Sequence, residues 1–274
     1  MLIWVILIVL FAIMAYPFFY IMSLSVMPYS EYVRHPIHIG PSGFTLVYFE
    51  QILRDPRLLN AYRVSVAKTL AGTALNVVAT TMAAYALSRP RLKWRRALTI
   101  FFLVPMFFGG GLIPYYLVIR ATGMLNTFWA LVIPGLVAPF LFFMVRAYFF
   151  EYPEEVIEAA VVDGASHWGI FWRIIWPTST PVIATITLLY GTGHWNDFFW
   201  PSILVQPNLH PAIVVLQQIT TNRSMLQGLG LGQQLAQPSY IAAMAAIVII
   251  PILVVYPFLQ RYLIRGIMIG SLKG

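Results

Sequence analysis

The first thirty residues, Met1 to Ser30, carry no charge. A run of this length outlasts the apolar core of a signal peptide, and it lacks both a basic front and a clear small-residue cleavage site. It is long enough to cross a bilayer as a helix, which takes about 20 apolar residues. Composition says the same of the whole chain. Of the 274 residues, 60% are hydrophobic and 9% charged, with a mean hydropathy of +0.79, whereas a soluble domain carries about 25% charged residues. The chain is therefore read as a single all-α integral membrane domain. Its net charge of +8 invites a nucleic-acid reading, but the basic residues flank apolar runs, as membrane topology requires. With no cysteine, disulfide, thiol and cysteine–metal chemistry are excluded.

Six spans are expected, at about residues 1–24, 63–88, 97–120, 127–149, 178–200 and 238–259. Residues 26–60 and 202–238 read as external segments, the second with a short helix. Residues 260–274 read as an internal tail. Lys68 lies one or two turns inside the second span, where snorkelling to the surface is expected over a binding role. The third span contains Pro105 and Gly109-Gly110-Gly111, and the fourth contains Pro134 and Pro139. Such breakers are tolerated where freed backbone groups face protein or a wet cavity. They mark either a kink lining a pathway or a packing kink. Gly123 and Asn126 suit a tight turn. An internal N-terminus places ten of the seventeen basic residues inside, among them the five of 89–96.

The polar residues are concentrated elsewhere. Five of the nine acidic residues fall between Glu151 and Asp163, within EYPEEVIEAAVVDGASHWGIFWRIIWP. This stretch predicts two helices in series. Pro153 suits the first helical position, and Glu154 and Glu155 favour the positive end of the dipole. Gly164 is a natural left-handed stop, and Ser166 can cap the second helix. That helix places Trp168, Phe171, Trp172 and Ile175 in one apolar stripe, and Pro177 is expected to end it. The element is too short to span. It is either a docking element for a soluble partner or an interfacial amphipathic helix.

Glu158-Ala159-Ala160, Asp163-Gly164-Ala165 and Ile174-x-Trp176-Pro177 together resemble the EAA motif of ABC importer permeases, departing from it at Trp176, where leucine is usual. The sequence Trp195-Asn196-Asp197-Phe198 and the ending RYLIRGxxxGSLKG resemble the carbohydrate-uptake branch, of the MalG type. Gly109–Tyr116 and Gly123–Ala130 resemble a subgroup linked to oligosaccharides such as alginate or aldouronate. The resemblance implies a type I importer permease fold of about six transmembrane helices, with a cytoplasmic coupling helix between the fourth and fifth. It implies that Glu158, Ala159, Ala160, Asp163, Gly164, Ala165 and Pro177 meet the ATPase, and that Gly270, Ser271, Leu272, Lys273 and Gly274 reach into the ATPase dimer. The partners it implies are a second, different permease, two ATP-binding cassette subunits and an extracytoplasmic solute-binding protein. ATP and Mg would sit on the ATPase, with no cofactor in this chain. The location it implies is the inner membrane, with both termini cytoplasmic.

Catalysis is not expected. There is no GxxxxGK[ST] loop and no HExxH, and the five histidines lack metal-ligand spacing. Asp197 is the one acid placed inside a span, and such groups usually face a cavity or a partner. Tyr190, His194 and Asp197 share a helical face. With Trp195 and Asn196 they form a candidate sugar pathway, since aromatic faces stack on sugars while polar neighbours bond hydroxyls. A structural hydrogen bond and an interfacial aromatic belt are the other readings. A standalone secondary carrier or an intramembrane enzyme is the alternative function. A carrier should show inverted repeats and mid-membrane coupling charges, and only Lys68 and Asp197 could supply the latter.

Overall fold

The computed structural model describes residues 1–35, 40–90, 92–221 and 237–271. Among these every regular element is a helix. In chain order they are α1 (Leu2–Ser25), α2 (Tyr29–Arg34), α3 (Val47–Arg54), α4 (Pro56–Ser88), α5 (Arg95–Phe107), α6 (Leu112–Ala121), α7 (Pro139–Phe150) and α8 (Glu154–Val162), followed by α9 (His167–Thr178), α10 (Thr180–Asn196), α11 (Phe199–Leu204), α12 (Ala212–Thr221) and α13 (Pro238–Ser271). Contacts divide the chain into two compact units, Met1–Ser65 with His210–Val254, and Val66–Leu209 with Val255–Gly274. The long helices α4 and α13 contribute to both.

In the first unit α1 is uncharged, and its side chains from Leu2 to Phe19 are exposed apart from the half-buried Ala15, as suits a helix whose solvent is lipid, while Ser23, Leu24 and Ser25 at its end are buried. The unit's core is built on Tyr48, Ile52, Leu58, Tyr240, Ala243 and Met244. Tyr48 meets Tyr240 edge-on, with ring centroids 6.5 Å apart, a favourable aromatic geometry. The Tyr48 hydroxyl accepts from the Tyr29 amide at 3.0 Å, which ties α2 to α3. The Ser65 hydroxyl accepts from the Ala212 amide at 2.8 Å, which satisfies the start of α12.

The second unit has its core in Tyr85, Phe142, Phe149, Ile170, Phe171, Ile175 and Ile186. Phe102 of α5 stacks on Phe142 of α7 at 4.3 Å. The C-termini of α4 and α7 are sealed reciprocally. Arg146 of α7 donates to the Leu87 carbonyl at 3.1 Å, and Arg89 donates to the Phe149 carbonyl at 2.9 Å. Each arginine thereby satisfies a carbonyl that a helix C-terminus leaves without a partner.

Several expected spans take a different form. The second begins earlier, at Pro56, because the Asp55 carboxylate accepts from the Arg57 amide at 2.8 Å and starts the helix. Arg57 and Arg63 mask that start in a hydropathy reading. The third is not one helix. It breaks between Phe107 and Leu112, where Gly111 adopts φ +80°. The fourth consists of a 3-10 turn at Phe128–Leu131, an irregular stretch, and α7, because Pro134 and Pro139 supply no N–H to a continuous ladder. Gly123 and Asn126 do form a turn, at φ +71° and +61°. The expected tail is continuous with the last span, since α13 runs to Ser271. Leu272, Lys273 and Gly274 lie outside the described residues. Three described helices, α1, α4 and the Pro238–Val255 part of α13, are long and apolar enough to cross a bilayer alone, and α9 with α10 forms a bent pair at 82°.

Candidate coupling element and polar seam

The acidic stretch folds as two short helices around a tight stop. Pro153 sits one position before the expected one, as the N-cap of α8, with Glu154 and Glu155 in the first turn. Gly164 takes φ +80°. Its amide donates to the Val161 carbonyl at 3.0 Å, and the Ala165 amide donates to the Ala160 carbonyl at 2.9 Å. These two bonds are those of a Schellman motif, which needs a residue at ease in the left-handed region. The Ser166 hydroxyl then accepts from the Gly169 amide at 3.2 Å and caps α9.

Within α8 the motif splits by face. Ala160 and Ile157 are buried, whereas Glu158, Ala159, Asp163 and Gly164 are exposed and Ala165 is half-buried. The expected four-residue stripe on α9 does not survive. Phe171 and Ile175 are buried, but Trp168 is 60% and Trp172 42% exposed. A π-helical turn over Phe171–Ile175 changes the angular step that the stripe assumed. Pro177 does not end the helix either. The chain passes through it to Thr178, whose hydroxyl donates to the Ile174 carbonyl at 2.6 Å, and it bends at Ser179.

Between α8, α9 and the end of α4 lies a cavity of about 760 Å³ bordered by Tyr85, Arg89, Glu154, Glu158, Trp168 and Phe171. The Arg89 guanidinium lies over the Tyr85 ring at 5.1 Å, a cation–π arrangement. Burial pulls its pKa below the ordinary value, while Tyr85 and Glu154 oppose that shift.

The second cluster joins α4 to α10. Lys68 has no exposed surface, so it does not snorkel. Its ammonium donates to Asp197 Oδ2 at 2.7 Å and to the Asp197 carbonyl at 3.3 Å. Gly72 faces the His194 ring so closely that a Cβ would lie 2.5 Å from His194 Nε2. Asn76 donates through Nδ2 to the Gly135 and Leu136 carbonyls at 2.6 and 2.8 Å. Its Oδ1 is the acceptor for His194 Nε2 at 2.6 Å, so Nε2 carries the proton. Thr80 and Tyr190 share a 2.6 Å hydroxyl contact, and the Tyr190 hydroxyl accepts from the Ala138 amide at 2.9 Å.

Of the five candidate pathway residues, Tyr190 and Trp195 are buried and His194 is committed to Asn76. Asn196 is exposed, and the Asp197 side chain is 27% exposed. The face shared by Tyr190, His194 and Asp197 is real, but it is turned toward α4. The sequence reading missed the partners on α4. Lys68, Gly72, Asn76 and Thr80 recur every four residues along one face of α4, and that spacing was the available signal.

The family model of the binding-protein-dependent transport system inner membrane component matches residues 75–269. The protein LplC of Bacillus subtilis is 38% identical, over 96% of this chain and 90% of that protein. The polygalacturonan/rhamnogalacturonan transport system permease protein YtcP of Bacillus subtilis is 33% identical, over 94% and 92%. Among solved structures, a chain of a bacterial ABC transporter involved in the import of the acidic polysaccharide alginate superposes with a TM-score of 0.86 at 28% identity, over 94% of each chain.

Proposed function

We propose a function from one premise: this chain belongs to the family of binding-protein-dependent transport system inner membrane components. It is the membrane-spanning permease subunit of an ATP-driven importer, and its cargo is an oligosaccharide. The cargo class follows the relatives, whose names include polygalacturonan, rhamnogalacturonan and arabinooligosaccharides. One observation in this chain carries the mechanism. The EAA-type segment forms a helix whose outer edge of Glu158, Ala159 and Asp163 is exposed, stopped by a left-handed Gly164. A short, acidic, capped helix of this kind is a shape that a soluble subunit can grip.

The division of labour follows. A separate pair of ATPase subunits binds ATP and Mg. Closure of that pair carries α8 and α9 with it, and α10, joined across the bend at Ser179, takes the motion into the membrane. A binding protein delivers the cargo on the other side, and a second permease completes the pathway. Both termini then lie on the ATPase side, in the cytoplasm. A population shift of this kind needs contacts that differ between two states, and the exposed edge of α8 is where ATP-dependent contacts would be made. Asn196, exposed at the end of α10, remains the pathway candidate, whereas the Asp197 carboxylate is taken up by Lys68.

Reconstitution tests this. The chain, the second permease and the ATPase in proteoliposomes with the binding protein should take up arabinotriose or oligogalacturonides only when ATP is inside the partner compartment. Uptake by this chain alone, without ATP, would contradict the proposal.

A further inference from the structure

A lysine within a span is costly unless paired, and Lys68 is sealed from solvent at a point where the apolar helix α4 meets the end of α10. Two of its contacts go to Asp197, one to the side chain and one to the main chain. The other carboxylate oxygen of Asp197 accepts from the Trp200 amide at 3.3 Å, in the first turn of α11. One ammonium and one carboxylate therefore hold α4, the C-cap of α10 and the start of α11 together. The same face continues as a close crossing. His194 lies where a Gly72 side chain would be, and Thr73 Oγ1 is 3.6 Å from the position a Gly191 Cβ would occupy. Small residues let the backbones approach, and polar side chains bridge them.

The pair has a second consequence. The cation lies behind the carboxylate, and the part left exposed belongs to Asp197. Lys68 is thus unavailable to an anionic cargo and acts only through Asp197.

We propose that Lys68 is a positioning residue for transport: it neutralises Asp197 and locks the corner between α10 and α11 onto α4, so that motion entering α10 from the coupling helices is passed to α4. This rests on the importer reading above. Without the lock, the ATPase could still bind ATP, but the membrane transition that limits turnover would be slowed.

The test uses the complete transporter in liposomes with its binding protein, and reads ATP hydrolysis per complex. Four chains are compared: wild type, Lys68→Met, Asp197→Asn and Lys68→Met/Asp197→Asn. Removing one partner of a buried pair strands a charge, whereas replacing both leaves a neutral contact, so Lys68→Met should lose at least about tenfold in kcat and the double variant should recover to within about threefold of wild type. The KM for ATP should stay within about twofold throughout, because nucleotide binding is untouched. A loss of packing alone would lower the amount of complex and would not be reversed by a second substitution. If Lys68→Met fails to assemble, a double variant that assembles and turns over within about threefold of wild type supports the lock, and one that assembles but turns over at least about tenfold slower overturns it. A wild-type kcat in Lys68→Met, or a double variant no better than Lys68→Met, overturns it. A wild-type chain that does not assemble with an ATPase at all would instead remove the importer reading, and this inference with it.

Discussion

Gly164 is the residue on which the coupling element turns. It holds φ +80°, and nothing stands within 4 Å of the position its Cβ would take. A side chain there meets no wall in this chain. Its cost is backbone strain, about 1–2 kcal/mol for a left-handed L-residue, together with whatever it presents to the ATPase proposed to dock on α8. Gly164→Asp is therefore expected to leave complex assembly largely intact while lowering cargo-stimulated ATP hydrolysis and uptake together. Gly164→Asn, which keeps the local tolerance for this conformation without the charge, should retain more of both. Normal stimulated hydrolysis in Gly164→Asp would count against docking at this turn. The glycine stop and the Ser166 cap were legible from residue type alone, because left-handed backbone and N-caps have narrow chemical requirements. The state of Lys68 was not, because snorkelling and pairing differ only in where a distant residue lies.

At the scale of elements, the informative feature is how the irregular stretch between Leu131 and Pro139 is tolerated. Two side chains from packed helices serve its backbone. Asn76 of α4 covers the Gly135 and Leu136 carbonyls, and Tyr190 of α10 covers the Ala138 amide. Unpaired buried backbone groups cost about 1–3 kcal/mol each, so Asn76→Leu should destabilise the complex by about 2–5 kcal/mol, read as a lower thermal midpoint in detergent. Asn76→Asp restores the acceptor toward His194 but not the donor, and it should rescue little. An unchanged midpoint in Asn76→Leu would show that the stretch finds other partners. The prolines and glycines announced the breaks in the third and fourth spans correctly in kind. They could not announce which side chains repair them, since those lie about 60 residues away in sequence. The π turn in α9 was illegible for a related reason. It leaves Phe171 and Ile175 buried in the core of the second unit, an arrangement that a regular helical wheel does not anticipate.

At the scale of the whole molecule, the chain is a helical membrane permease whose acidic residues are clustered, five of nine between Glu151 and Asp163. The family and the fold were readable because the EAA pattern and the RYLIRGxxxGSLKG ending are long. The ending itself continues the helix α13 as far as Ser271, and Leu272 to Gly274 lie outside the described residues. Removing Gly270–Gly274 should lower coupled ATP hydrolysis without preventing insertion, since the apolar part of α13 ends earlier. Arg265→Ala/Lys273→Ala separates insertion into the ATPase from binding to anionic lipid. Loss in the truncation alone supports the first, loss in the charge variant alone supports the second, and no loss in either removes the tail from the mechanism. The central claim is that the exposed edge of α8 meets the ATPase. The chain has no cysteine, so Ala159→Cys provides one thiol on that edge. A bifunctional thiol–amine reagent applied to the intact complex should join this chain to the ATPase subunit, with a yield that changes on adding ATP. An adduct absent under both conditions, with the thiol instead open to a membrane-impermeant maleimide from the binding-protein side, would contradict the account.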